Sequence, residues 1–136
     1  MTAYEKVMKM SVISKVIVVE GKSDKMKLQQ VLSEPVHIIC TNGTMGIGKM
    51  DALLDELAGH TVYVMTDADK AGKKIRSWFK RHLSESKHIY IDPTYGEVGR
   101  CPVDYLAKKL NKHEFEVKGL DNEDEHQKVF AFSPVW

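Results

Sequence analysis

Four short runs of β-branched and apolar residues punctuate the chain, and each is followed by a stretch with helical spacing. The runs are Lys15–Val19 (KVIVV), Val36–Cys40 (VHIIC), Thr61–Thr66 (TVYVMT) and Lys87–Ile91 (KHIYI). Five or six residues suffice for a buried strand and are too few for a helix. The intervening segments predict helices from Ser23, as N-cap, to about Ser33, from about Lys49 to Ala58 with Gly59 as its stop, and over Gly72–Leu83. The third carries Ile75, Trp78, Phe79 and Leu83 as one apolar stripe, and a fourth helix is expected over Val103–Leu110. Strand–helix alternation through four rounds implies βαβ units: an α/β fold with about four parallel strands and helices on both faces. A last run, KVFAF at 128–132, predicts an extra edge strand at the C-terminus.

With 136 residues, the expectation is a single domain, its core over about 13–110 and an acidic extension over 111–136. The net charge of +1 hides that asymmetry. Residues 1–112 hold 18 Lys/Arg against 13 Asp/Glu, whereas residues 113–136 hold 2 against 6. A mildly basic body permits a polyanionic partner without demanding one. No apolar run approaches the ~20 residues of a membrane span, and the N-terminal MTAYEKVMKM has no signal-peptide pattern. Cys40 and Cys101 form no CxxC, which speaks against a disulfide framework or a thiolate zinc site and suits a cytoplasmic protein.

Parallel sheets place ligands at the carboxyl ends of their strands, so the residues there carry the functional information. The first strand ends in Glu20-Gly21 (VVEGKSD), and the third in Asp67-Ala68-Asp69 (VMTDADKAG). If those strands are neighbours, three carboxylates meet in one cleft. Mutual repulsion and desolvation make such a cluster costly unless a hard divalent cation neutralises it. Mg²⁺, with its preference for carboxylate oxygens and displaceable water, suits that place and phosphoryl-transfer chemistry. Taken alone, Asp67 and Asp69 read as readily as caps for the third helix.

The pair VIVVEGKSD and VYVMTDADKAGKKIR resembles the two motifs of the Toprim domain. That domain is shared by topoisomerases, bacterial primases, recombination proteins, OLD-type nucleases and the ribonucleases that mature 5S ribosomal RNA. The likeness to the last group covers about residues 13–110, including the TNG after the second strand. It implies a Rossmann-like Toprim fold and a bacterial enzyme acting on RNA or DNA with Mg²⁺, or with Mn²⁺ in its place. By position, Glu20 resembles the family's catalytic general acid/base, which also helps hold metal, and Asp67 and Asp69 resemble the metal ligands. Asp24 matches an acidic position that OLD-type nucleases use for metal, while Gly21 and Gly72 match glycines that let the backbone approach the site. The chain departs from the 5S-maturing ribonucleases after the fourth strand, where GEVGRCPVDYL replaces Gly-Val-Glu-His-Ala and Asp104-Tyr105-Leu106 looks more like primases. The alternative reading is a non-catalytic, metal-dependent module that binds nucleic acid or a nucleotide and takes its specificity from a protein partner.

A third reading starts from Gly43–Lys49, which matches GxxxxGK between a strand and a helix. It fails at Met50, where a P-loop needs a hydroxyl for Mg²⁺ and a thioether is a poor ligand. A looser role for Asn42 and Gly43 is to offer backbone N–H groups to a phosphate. Lys73, Lys74, Arg76, Lys80 and Arg81 lie off the apolar stripe of the third helix, so this face is a candidate track for a nucleic-acid backbone, with Lys22 widening the rim.

Overall fold

The computed structural model describes residues 2–3, 15–42 and 47–119. The elements run β1 (Lys15–Val19), α1 (Lys22–Val31), β2 (His37–Cys40), α2 (Ile47–Leu57), β3 (Thr61–Val64), α3 (Lys70–His82), β4 (Lys87–His88), a single 3₁₀ turn (Val98–Arg100) and α4 (Val103–Lys112). All four strands join one parallel sheet in the order β2-β1-β3-β4. The expected α/β architecture is therefore present. KVFAF, Gly43 and the acidic stretch beyond residue 119 lie outside the described residues.

Alternation along β1 explains the layering. Ile17 and Val19 point to a core shared with Leu28 and Val31 of α1, Leu106 and Leu110 of α4, and Phe115. Val16 and Val18 point the other way, against Leu53 and Leu57 of α2 and Ile75 and Phe79 of α3. β1 is apolar on both faces because both are covered, as a central parallel strand requires. The stripe expected on α3 divides by depth: Ile75 and Phe79 are fully buried, whereas Trp78 and Leu83 pack at the margin.

Three local expectations are corrected. Ser23 does not cap α1; the helix begins one residue earlier, at Lys22, with Gly21 as N-cap. The Asp24 carboxylate, at the third helical position, reaches back to accept the Gly21 N–H at 3.0 Å, the reciprocal bond of a capping box. α3 begins at Lys70 rather than Gly72, because Asp69 caps it by accepting the Gly72 N–H at 2.7 Å. β4 stops at His88 rather than Ile91, since β3, its only strand partner among the described residues, ends at Val64; Ile89 makes the last bond, to the Val64 carbonyl at 2.9 Å.

Sheet order fixes where a ligand can enter. The chain leaves β1 for β2 on one side and returns to β3 on the other, so strand order reverses between β1 and β3. A crevice opens outside the carboxyl ends of strands at such a reversal.

Candidate metal centre

Glu20 directly follows β1, and Asp67 lies three residues beyond β3. Parallel pairing of β1 with β3, carried on by the Met65 N–H to the Val18 carbonyl at 2.9 Å, brings these ends level. The Glu20 carboxylate accepts the Asp67 N–H at 2.8 Å. Glu20, Asp67 and Asp69 each offer an oxygen, all lying within 4.8 Å of one another. Glu20 is only 8% exposed, Asp67 is half-buried and Asp69 is open to solvent, so the cluster grades from core to surface.

The electrostatics follow from that crowding. Burial raises the Glu20 carboxyl from an ordinary 4.5 to about 7, helped by a hydrogen bond shared with the Asp67 carboxyl and by the charges of Asp67 and Asp69. Three oxygen donors of falling burial, with no nitrogen or sulfur among them, fit a hard divalent cation. Capping and cation binding are compatible at Asp69, because the helix cap uses Oδ1 and a carboxylate has two oxygens.

The surrounding backbone holds the cluster in place. Asp67 Oδ1 accepts the Val98 N–H at 2.8 Å, and the Asp67 carbonyl accepts from Arg76 Nη1 at 3.0 Å. That same Arg76 nitrogen donates to Thr66 Oγ1 at 2.6 Å. Gly72 stands against this loop so closely that a Cβ there would sit 2.1 Å from the Asp67 carbonyl oxygen. Only glycine fits. Gly21 is different, since a Cβ there would meet Asp24 Oδ2 at an ordinary 3.6 Å.

Asp24 stands outside the three-carboxylate group. It is 4% exposed, and its two oxygens accept the Gly21 N–H at 3.0 Å and the Gly99 N–H at 2.9 Å. It thereby ties the start of α1 to the 3₁₀ turn, where the adjacent Val98 N–H serves Asp67. Burial and the Asp67 charge raise its carboxyl above the usual range. The role of this turn was not evident from sequence, although the two glycines of GEVG were a signal for tight backbone there.

The remaining candidates separate. Asn42 has a positive φ of 56° and donates its N–H to the Glu20 carbonyl at 2.6 Å, so that N–H supports the site rather than facing outward. Lys22 is exposed at the start of α1. The basic residues of α3 do not form one face. Lys73, Lys74 and Arg81 line a groove of about 450 Å³ with Lys70, Ser77 and Trp78, whereas Arg76 and Lys80 turn toward Tyr90 on the other side. Cys101 is fully buried, and burial raises its thiol and that of Cys40, which leaves neither suited to act as a nucleophile.

The Toprim domain family model matches residues 15–94, a span that holds both carboxylate-bearing strand ends and four strands. The chain belongs to the Toprim family. This Toprim chain is 46% identical over 103 residues to Uncharacterized protein YusF of Bacillus subtilis (strain 168), covering 76% of the chain and 70% of that relative. It is 40% identical over 81 residues to Ribonuclease M5 of Mycoplasma genitalium, covering 59% of the chain but only 44% of the ribonuclease. A solved structure, that of a small TOPRIM domain protein from Bacillus stearothermophilus, superposes with a TM-score of 0.75 at 48% identity, over 78% of this Toprim chain and 90% of the other.

Proposed function

We propose that this Toprim chain is a divalent-metal-dependent nuclease acting on RNA or DNA, with Mg²⁺, or Mn²⁺ in its place, held by Asp67, Asp69 and Glu20. The observation that carries this reading is the convergence of those three carboxylates at the β1/β3 strand-order reversal. The likeness to Ribonuclease M5 supports it, although the chain spans less than half of that protein. A bound ion would offset the negative charge of a phosphodiester and acidify water beside it. Glu20 acts as general acid/base. In the metal-free protein burial holds its carboxyl at about 7; a bound cation would displace that proton and leave a carboxylate that can accept one. Asp67 and Asp69 supply charge, and Asp24 keeps the strand-end loops in register from outside the ligand set. Lys73, Lys74 and Arg81 guide the nucleic-acid backbone along the groove that Lys70, next in sequence to Asp69, also lines.

A second reading, a binding module that works with a protein partner, draws on the segment after β4. There the 3₁₀ turn presents backbone N–H groups to Asp67 and Asp24 where the 5S-maturing ribonucleases carry Glu-His. Single-turnover cleavage of structured RNA and of single- and double-stranded DNA separates the two, run with Mg²⁺, with Mn²⁺ and with EDTA. For the nuclease, Glu20→Gln lowers the cleavage rate ~10²–10⁴-fold while substrate affinity changes little. Metal-dependent cleavage undiminished in Glu20→Gln refutes the assigned role. Binding without cleavage by the wild type favours the module.

A further inference from the structure

Among the described residues Tyr90 is the one exposed tyrosine, tryptophan or phenylalanine, with half of its surface open at 50%. Other aromatic rings are packed: Tyr63 against Phe115 at 4.6 Å, Tyr95 against Tyr105 at 4.7 Å, and Trp78 against His82 at 4.6 Å. Tyr90 lies two residues beyond His88, the last residue of the edge strand, and on the same face of the sheet. The two rings are nearly parallel, at 24° with centroids 6.2 Å apart. From α3, one turn apart, Arg76 and Lys80 bring their cations to 5.6 and 5.8 Å from the Tyr90 ring centre. Arg76 also donates to the Asp67 carbonyl, so one guanidinium joins the aromatic patch to the acidic cluster.

An aromatic ring kept half open, flanked by two cations and bridged to a carboxylate cluster, has the chemistry of a nucleotide subsite. With Arg76 and Lys80 over the ring on its α3 side, the exposed side of the ring is what it offers to a base, and the cations offer charge to a phosphate. A surface cation–π cluster worth ~0.5–1 kcal/mol would account for the cations but not for the exposed ring beside the cluster. Bases in a duplex are stacked on one another and hide their faces, so the matching ligand is single-stranded or locally unpaired.

We propose that Tyr90, with Arg76 and Lys80, forms a stacking subsite for one unpaired nucleobase whose neighbouring phosphate lies toward Glu20, Asp67 and Asp69. This rests on the reading of the acidic cluster as a phosphodiester site, and it adds that the substrate is held through an unpaired base on the β4 side. The base occupies the Tyr90 ring, and Lys80 meets the backbone beside it. Arg76 has a double duty, positioning Asp67 through its carbonyl while bordering the base.

Fluorescence anisotropy with short labelled oligothymidylate and oligouridylate, in EDTA so that no strand is cut, tests the subsite. Tyr90→Ala weakens single-strand binding ~5–150-fold, the range of one base–aromatic stack. Tyr90→Phe binds within about twofold of wild type, since phenylalanine keeps the ring. The salt dependence of Tyr90→Ala matches wild type because no charge is lost, whereas Lys80→Ala flattens it by ~0.7 of a counterion. An abasic strand binds the wild type as weakly as an intact strand binds Tyr90→Ala. Unchanged binding by Tyr90→Ala, an equal loss in Tyr90→Phe, an equal loss on a fully paired duplex, or no single-strand binding by the wild type each overturns the proposal. Calorimetric titration of Mn²⁺ keeps the two readings apart. Tyr90→Ala binds Mn²⁺ as the wild type does, and a wild type without a Mn²⁺ site would remove the metal reading while leaving the stacking result to be judged on its own data.

Discussion

Gly72 has no room for a side chain, and the atom it would strike belongs to a proposed metal ligand. Gly72→Ala must push the Asp67 carbonyl aside, since the built Cβ falls 2.1 Å from it. The expected cost is ~1–3 kcal/mol in stability. Mn²⁺ affinity should fall ~10–100-fold, as when the support of a ligand is lost. Calorimetry and thermal melts read both, and a variant with wild-type affinity would show that Asp67 is not held by this approach. At Glu20 the sign of the pH effect can be worked out. Its folded carboxyl is raised from 4.5 to about 7, so between these values the native state holds a proton that the unfolded chain has lost. Stability of the metal-free protein from this group is therefore highest on the acid side and declines as pH rises through about 7. Mn²⁺ affinity runs the opposite way, rising through about 7 as the competing proton leaves. Glu20→Gln should flatten the pH trend in melting temperature; an unchanged trend would place the titration elsewhere.

At the scale of elements, α3 serves two surfaces. Its groove side carries Lys73, Lys74 and Arg81, and its β4 side carries Arg76 and Lys80. Neutralising Lys73 and Lys74 together should weaken nucleic-acid binding across all sequences and flatten the salt dependence on duplex DNA by ~1.8. An unchanged slope would make the groove side plain solvated surface. The sequence showed the charges and the apolar stripe of this helix but not their division, because periodicity tells which residues avoid the core and not what stands beside them. Asp24 was ambiguous for a similar reason. An acidic residue near a helix start fits a metal ligand and a backbone staple alike; the sequence could not show the staple because one of its partners, Gly99, comes from 75 residues away. Asp24→Ala should orphan the Gly21 and Gly99 N–H groups and cost ~1–3 kcal/mol per group left without an acceptor. The Mn²⁺ site should survive in Asp24→Ala; its disappearance would return Asp24 to the ligand set.

For the molecule as a whole, strand order converts two distant motifs into one site. The alternation of KVIVV, VHIIC and TVYVMT with helical segments made the parallel sheet legible, and the Glu-Gly and Asp-Ala-Asp endings made the carboxylates legible. What remained hidden were features set by tertiary approach: the 3₁₀ turn behind Asp67, the Arg76 bridge and the open Tyr90 ring. Among the described residues no helix is long and apolar enough to cross a membrane. The central claim, that the three carboxylates form a divalent-cation site, is tested most directly by calorimetric titration of Mn²⁺ at about pH 8, above the Glu20 value of about 7, into wild type and Asp67→Asn. The asparagine can still accept the Val98 N–H but carries no charge. The account predicts one site in the wild type and its loss in Asp67→Asn, together with a metal-free melting temperature no lower than wild type because like-charge repulsion is relieved. Equal Mn²⁺ affinity in the two proteins would contradict it.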